Sequence, residues 1–426
     1  MKLNYQYPVL YLMLFILLLL AVPHAGFESD MFYWVHWSTT IFERGLGNVY
    51  GLGNNDYNPL YHYILYLFGK MAGSVEKIHH YPHLLKGFTL LFDFAGAILA
   101  ASLVSDRDRR FMLSLLLLFN MGYLYNTLIW IQVDSIFTCL VFVAALLAVR
   151  GQPVGSALFY VLALNAKAQA IIFLPPLLFL WFPQWVQAPT KLLLTVGAVV
   201  ALQVLILAPF IWGGDANYLS RIIEINTTAV DRYPFITMNA ANVWYLLIPN
   251  SPLRDTPDTG TFMNLTYKHW GLIMFFLAAG LALLPLFVAA VRSVLTGQRP
   301  GKEQLALVLL SFGLVPLLFT YFNTQMHERY WHAAVLFLAA YGFVTREYVL
   351  YAITSIAYFL NLESVMHFLG LKKYGILFFD YRFLAGLFTL VIVLGIWKIY
   401  RRAPLKEHWL AMWRRQPQPE SLTAAF

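Results

Sequence analysis

Apolar runs near membrane-spanning length recur from one end of this chain to the other, beginning with Pro8 to Val22. About 20 apolar residues cross a bilayer's hydrocarbon core as a helix. In lipid the backbone must satisfy its own hydrogen bonds, which a helix does along its whole length. Composition agrees: of 426 residues 60% are hydrophobic, 17% aromatic and only 12% charged, too apolar for a soluble domain. The expected fold is an all-α polytopic membrane protein. Candidate spans are 8–24, 83–104, 111–126, 130–149, 153–165, 168–183, 191–212, 270–292, 303–322, 331–346, 347–362 and 381–399, about 12 transmembrane helices. The 153–183 region reads as a re-entrant pair or as two clipped helices. The first run lacks a strongly basic flank and a small-x-small cleavage site, so it reads as a retained helix.

Cys139 is the only cysteine and lies in an apolar run, which excludes disulfides and cysteine-based metal sites. The net charge of +8 reflects Lys and Arg in cytoplasmic loops rather than a nucleic-acid surface. With Lys2 inside, alternation puts Arg107, Arg109, Arg110, Arg150, Lys191, Arg292, Arg299, Lys302, Arg346 and the tail (Lys398, Arg401, Arg402, Lys406, Arg414, Arg415) inside too. Fewer positives, among them Arg44, Arg221, Arg232, Arg254 and Arg329, fall on the opposite face. Both termini are then cytoplasmic and the long polar segments extracytoplasmic. The first outer loop, 25–80, follows the first span. The second, 213–268, carries Asp215, Arg221, Glu224, Asp231, Arg232, Arg254 and Asp255. The polar tail after Arg402 reads as an amphipathic or loose end. Two modules, 1–215 and 216–426, make one integrated membrane domain.

On this topology the costly residues collect at one membrane face. Asp30 and Asp56 lie in the first outer loop, and Gln132 and Asp134 begin a helix descending from the outer face. Lys167 and Gln169 sit at the next outer turn, and His327, Glu328 and Arg329 at another. Ionisable groups at an apolar boundary are costly unless solvated or used. Each also has a structural reading. Lys167 can snorkel to headgroups, and Gln132 and Asp134 can bond neighbouring helices. They are two apart, so on a helix they share no face. His327 alone can be a packed histidine, whereas beside Glu328 and Arg329 it suggests an anion site. Lys86 and Asp93, seven apart on one helical face, read as part of an internal polar network.

The pattern Asp30…Trp34…Trp37…Gly45-Leu46…Val49-Tyr50…Asp56-Tyr57-Asn58-Pro59-Leu60-Tyr61 resembles the first luminal loop of polyprenyl-phosphate-sugar-dependent glycosyltransferases of the GT-C superfamily. The comparison is with endoplasmic-reticulum glucosyltransferases that use dolichyl-phosphate-glucose, and their bacterial relatives. In that group an Asp after the first helix is the catalytic base and an Asp-Tyr-Pro-Pro-Leu segment follows; here Asn58 replaces the first proline. Trp130-Ile131-Gln132-Val133-Asp134-Ser135 resembles a Trp-Gly-Gln-x-Asp-Ser segment, with Ile131 in place of glycine. Met326-His327-Glu328-Arg329-Tyr330 is similar to the family's Met-His-Glu-Arg-Tyr, whose histidine approaches the donor phosphate. Lys167-Ala168-Gln169 resembles a Lys-Pro-Gln segment without its proline.

The resemblance implies a GT-C fold whose first loop carries short helices, and inverting transfer of a monosaccharide to a lipid-linked or glycan acceptor. The location implied is a bacterial inner membrane, with the site on the extracytoplasmic face. Asp30 would be the base, and Lys167, His327 and Arg329 would neutralise the leaving lipid phosphate. Asp56, Gln132 and Asp134 would bind sugar or acceptor hydroxyls, or orient a partner. No nucleotide or nucleic acid is expected, since neither a Walker-type loop nor a dinucleotide fingerprint occurs. No cofactor is expected; a divalent metal through Glu28, Asp30 and Asp56 is the less favoured alternative, there being no Asp-x-Asp pair. The competing readings are a flippase or transporter of lipid-linked saccharides and a glycan polymerase or ligase. The sugar stays open among mannose, glucose, galactose and arabinose.

Overall fold

The computed structural model describes residues 6–21, 26–228, 232–248, 252–297, 304–373, 375, 377–403 and 405. Lys2, Asp231, Arg299, Lys302, Lys406, Arg414, Arg415 and the rest of the polar tail lie outside the described residues. The chain is an all-helical integral membrane protein, with a single two-residue hairpin, Thr261–Phe262 against Leu265–Thr266, among the described residues.

Among the described residues seven helices are long and apolar enough to cross a membrane: Pro82–Ala101, Ala168–Gln187, Pro189–Trp212, Tyr267–Thr296, Gln304–Phe322, Val349–Met366 and Tyr381–Arg402. Arg107–Leu118 and Met121–Leu128 meet at a 58° bend and together could make one more. The break falls at Asn120, whose side chain accepts the Tyr123 N–H and so starts a new helix within the apolar run. The remaining apolar runs form shorter helices, Gln6–Ala21, Asp134–Val149, Pro153–Ala166 and His332–Thr345. Polar turns clip two of them. Asp134–Val149 starts only after Gln132, and Pro153–Ala166 ends at Lys167, whose backbone is extended. The 153–183 region is therefore one short helix, a 3-10 turn at Ala168–Phe173 and a further helix, Leu174–Gln187.

Burial separates centre from rim. In Gln304–Phe322 the apolar window is 78% buried, in Pro189–Trp212 only 11%, so the former is a core helix and the latter a peripheral one with Leu193 and Leu205 turned outward. Small residues let the central helices close up. A Cβ on Gly395 would lie 2.6 Å from Leu314, so Tyr381–Arg402 approaches Gln304–Phe322 across a position only glycine can occupy unchanged.

At one end of the bundle the two long polar segments meet. The first holds the helices Glu28–Arg44 and Pro59–Ala72 joined through a 3-10 turn, Leu46–Gly51. Gly45 has φ 85°, which turns the chain, and Gly47 lets this turn touch the end of Pro189–Trp212, where a Cβ would fall 2.5 Å from the Pro209 carbonyl. The second segment is sewn to the first. Asn58 and Asn226 exchange side-chain amide bonds of 3.2 and 3.0 Å, Arg221 donates to the Gly53 carbonyl at 3.0 Å, and the Asp215 N–H donates to Asn48 at 2.6 Å. At the opposite end Glu347 pairs with Lys398 and Arg402.

Candidate functional site

Asp30 lies in the first turn of Glu28–Arg44, where the helix's unpaired N–H groups favour negative charge. Its Oδ2 accepts from the Trp130 indole N–H at 3.1 Å and from the Gln132 amide. Both donors come from one bend. Ile131 has φ 62°, a left-handed backbone, so residues 130 and 132 present their side chains to the same carboxylate. The bend is pinned by the Gln132 N–H on the Asn126 carbonyl at 2.9 Å and by the Phe27 N–H on the Trp130 carbonyl at 3.3 Å. The resembled motif has glycine at this bend, and the chain keeps a glycine-type backbone with a β-branched residue in it.

A left-handed β-branched residue is strained by about 1–2 kcal/mol. Ile131 is nonetheless buried, so replacing it with glycine exchanges released strain for lost apolar contact. Ile131→Gly is expected to cost about 2–4 kcal/mol, below the roughly 3–6 expected for the same truncation at an unstrained buried position. Ile131→Pro forces φ to about −65° and should lower the thermal midpoint far more. Thermal unfolding in detergent checks the order; a glycine variant less stable than the proline variant would refute the strain argument.

Two cations, each paired with a carboxylate, form the other side. Lys167 donates to Asp134 Oδ1 at 2.5 Å, and Asp134 Oδ2 accepts from Asn126 at 3.2 Å. The Lys167 ammonium also lies 5.3 Å from the centre of the Tyr330 ring. Arg329 reaches Glu328 at 3.3 Å and His327 Nδ1 at 3.4 Å. The segment that carries these residues is held by backbone bonds. The Gln325 N–H donates to the Phe235 carbonyl at 3.0 Å, and the Met238 N–H to the Met326 carbonyl at 2.9 Å. Thr324 and Gln325 side chains both donate to Asp258.

The His327 ring is flanked by Tyr233 and Tyr330. Its Nε2 and the Arg329 Nε are buried with no hydrogen-bond partner among the described residues. Burial first, then the charges of Arg329 and Lys167, hold His327 well below its ordinary pKa, so the free imidazole is neutral. Burial raises Glu328, with Arg329 opposing. Unpaired donors beside two cations form an anion-receptive cluster.

Trp130 joins the two sides. Its N–H is on Asp30, and its ring lies 5.8 Å from the Arg329 guanidinium carbon, which in turn contacts His327. Asp30 and His327, 297 positions apart in sequence (327 − 30), thus belong to one cluster. Asp56 lies on its rim, paired with Arg232 of the second segment at 2.8 Å. Burial raises the Asp56 carboxyl, and Arg232 opposes that rise.

Gln132, expected among the hydroxyl-binding residues, has its amide between Asp30 and Tyr57, whose O–H donates to Oε1 at 3.4 Å. Asp134 faces the other way, toward Lys167. Lys86 and Asp93 share a helix. Lys86 donates to the Leu128 carbonyl at 3.2 Å, while Asp93 accepts from Ser135 at 2.6 Å, and Ser135 contacts His332 at 3.1 Å. Trp130, Tyr57 and Arg232 complete the cluster without having been singled out for the site from sequence. The signal for the first was its place two before Gln132 around a glycine-type bend; Arg232 had none, because its partner comes from a remote loop. Among the described residues no three His, Cys, Asp or Glu side chains converge to hold a metal. No protein-family model matches this chain, and no curated protein matches it significantly.

Proposed function

We propose that this protein is an inverting glycosyltransferase of GT-C type, moving a monosaccharide from a polyprenyl-phosphate carrier to a lipid-linked or glycan acceptor. The reading rests on one observation above all: a partly exposed carboxylate, Asp30, and an anion-receptive group of His327, Arg329 and Lys167 meet around Trp130. Such a pair is what the chemistry requires. Asp30 takes the proton of the acceptor hydroxyl, and that oxygen attacks the anomeric carbon from the face opposite the phosphate. The bond from the anomeric carbon to the phosphate oxygen breaks, and polyprenyl phosphate leaves with its added charge met by Arg329, Lys167 and His327. Asp30's two hydrogen-bond donors, Trp130 and Gln132, are neutral. To Asp56, paired with Arg232 at the rim, we assign sugar or acceptor hydroxyls.

The polyprenyl chain keeps the donor in lipid, at about 0.8 kcal/mol per buried methylene, so the site belongs at a membrane face. We assign it to the extracytoplasmic face with both termini cytoplasmic, from the distribution of Lys and Arg. The four short apolar helices and the bent pair then cross as well, for about twelve crossings. The location is a bacterial inner membrane. The decisive test incubates purified protein with a panel of polyprenyl-phosphate monosaccharides and an acceptor extract, scoring release of the lipid phosphate by mass spectrometry. Sugar movement across liposomes without bond cleavage would overturn the reading.

A pH dependence follows from His327. The donor is a phosphodiester and carries one negative charge across the working range. Its arrival offsets the burial and the neighbouring cations that keep the imidazole neutral. Donor binding should therefore take up a proton, and affinity should rise as pH falls from about 7 toward 5, by at most about tenfold per unit. Binding titrations across that range check this, and His327→Gln should flatten the slope. An unchanged slope in that variant would remove His327 from the phosphate.

A further inference from the structure

We propose that Trp130 and Gln132 form a two-donor clamp on Oδ2 of Asp30, held by Tyr57, that leaves Oδ1 as the oxygen receiving the acceptor's proton. The inference deepens the transferase reading and rests on Asp30 being its base. It makes Gln132 a positioning residue. Both donors converge on one oxygen, at 3.1 Å from the indole and closely from the amide. Oδ1 has no hydrogen-bond partner among the described residues, and Asp30 remains partly exposed.

The amide has only one satisfactory orientation. An ionised carboxylate accepts only, so it requires the Gln132 NH2; the Tyr57 O–H needs an acceptor and finds Gln132 Oε1 at 3.4 Å. Burial pushes the Tyr57 phenol well above its ordinary pKa, with the Asp30 charge adding to the effect, so the O–H stays a donor. The Gln132 carbonyl is thereby committed inside the protein. Two donors on Oδ2 draw charge there and hold the carboxylate plane fixed. Fixing that plane sets which lone pair of Oδ1 meets the hydroxyl, and a mis-set base loses rate without losing substrate affinity.

Other charged and titratable groups also face Asp30: Arg329 and Glu328 from the His327 segment, Asp56, Tyr57 and Tyr61 from the first loop, and Lys167. Substitutions at 130 and 132 leave all of these in place. The pH–rate profile at saturating donor, measured on purified full-length protein, reads the clamp directly. Removing a donor from an ionised carboxylate favours its protonated form. Gln132→Met and Trp130→Phe should each move the acid limb up by about one unit and lower kcat about tenfold, with donor KM within about twofold. Gln132→Glu sets a second carboxylate against Asp30 and should move the limb further still. Tyr57→Phe, which removes a single hydroxyl, should move it in the same direction by less.

Acid limbs that stay at the native position in Gln132→Met and Gln132→Glu, both eluting as folded protein, overturn the clamp. So does a raised KM with kcat intact, which would put Gln132 on the substrate. Asp30→Asn separates the two levels. If that variant turns over normally, the base reading itself fails; if it is inactive while the limbs do not move, only the clamp fails.

Discussion

Asp30→Asn is expected to lower glycosyl transfer by about 10²–10⁴-fold while leaving insertion, folding and donor binding intact. The substitution is isosteric, and the asparagine carbonyl can still accept from the Trp130 indole and the Gln132 amide. Asp30 is partly exposed and its donors are neutral, and the nearby cations Arg329 and Lys167 keep their own paired carboxylates, Glu328 and Asp134. What disappears is basicity: an amide cannot take the hydroxyl proton at neutral pH. Lipid phosphate released over time by the purified variant, beside a donor-binding isotherm, separates the two effects. Near-normal turnover would place the base elsewhere, and Glu328 would be the first group to examine.

The largest effect on stability should come from Lys167→Met. Asp134 is buried and bonded to Lys167 at 2.5 Å, so removing the ammonium strands a charge away from water. Breaking a buried pair from one side costs about 3–5 kcal/mol, enough to consume much of a membrane protein's resistance to heat in detergent. Adding Asp134→Asn removes the stranded charge and keeps an acceptor for Asn126, whose bond to Asp134 is 3.2 Å. The double variant should therefore recover most of the lost stability. On the proposed mechanism its turnover should stay low by about 100-fold, because the cation assigned to the leaving phosphate is still missing. Thermal unfolding and turnover measured on the single and double variants decide the matter. If the double variant regains both, Lys167 is a structural partner of Asp134 and nothing more.

These residues illustrate what a one-dimensional reading can reach. Apolar length announces helices, because lipid leaves the backbone few other ways to bond itself. It does not announce where a helix breaks: the 111–126 run is cut at Asn120 by a side-chain cap, a local competition that hydropathy does not register. Asp30, Lys167, His327 and Arg329 stand out in sequence because each is expensive in so apolar a chain. Their partners are another matter. Trp130 looks like any interfacial aromatic until the Ile131 bend turns it onto Asp30. Asp56 meets Arg232 only because two loops are sewn together by Asn58 and Asn226, a contact set by tertiary packing. Gln132 and Asp134, two apart, do face different ways, yet the cause is the bend before the helix rather than helical geometry alone.

The bond from Asp93 to Ser135, and on to His332, also bears on biogenesis. The nascent helix Lys86–Ala101 enters the bilayer bearing both a lysine and an aspartate, each adding about 2.5–3.5 kcal/mol to insertion when centrally placed. Ser135 emerges from the ribosome some fifty residues after that helix begins, but His332 follows only when three quarters of the chain exist. Until then Asp93 has Ser135 but not the His332 ring that completes the network. The helix can therefore pair through Ser135 during synthesis, while its network closes only with a segment made near the end of translation.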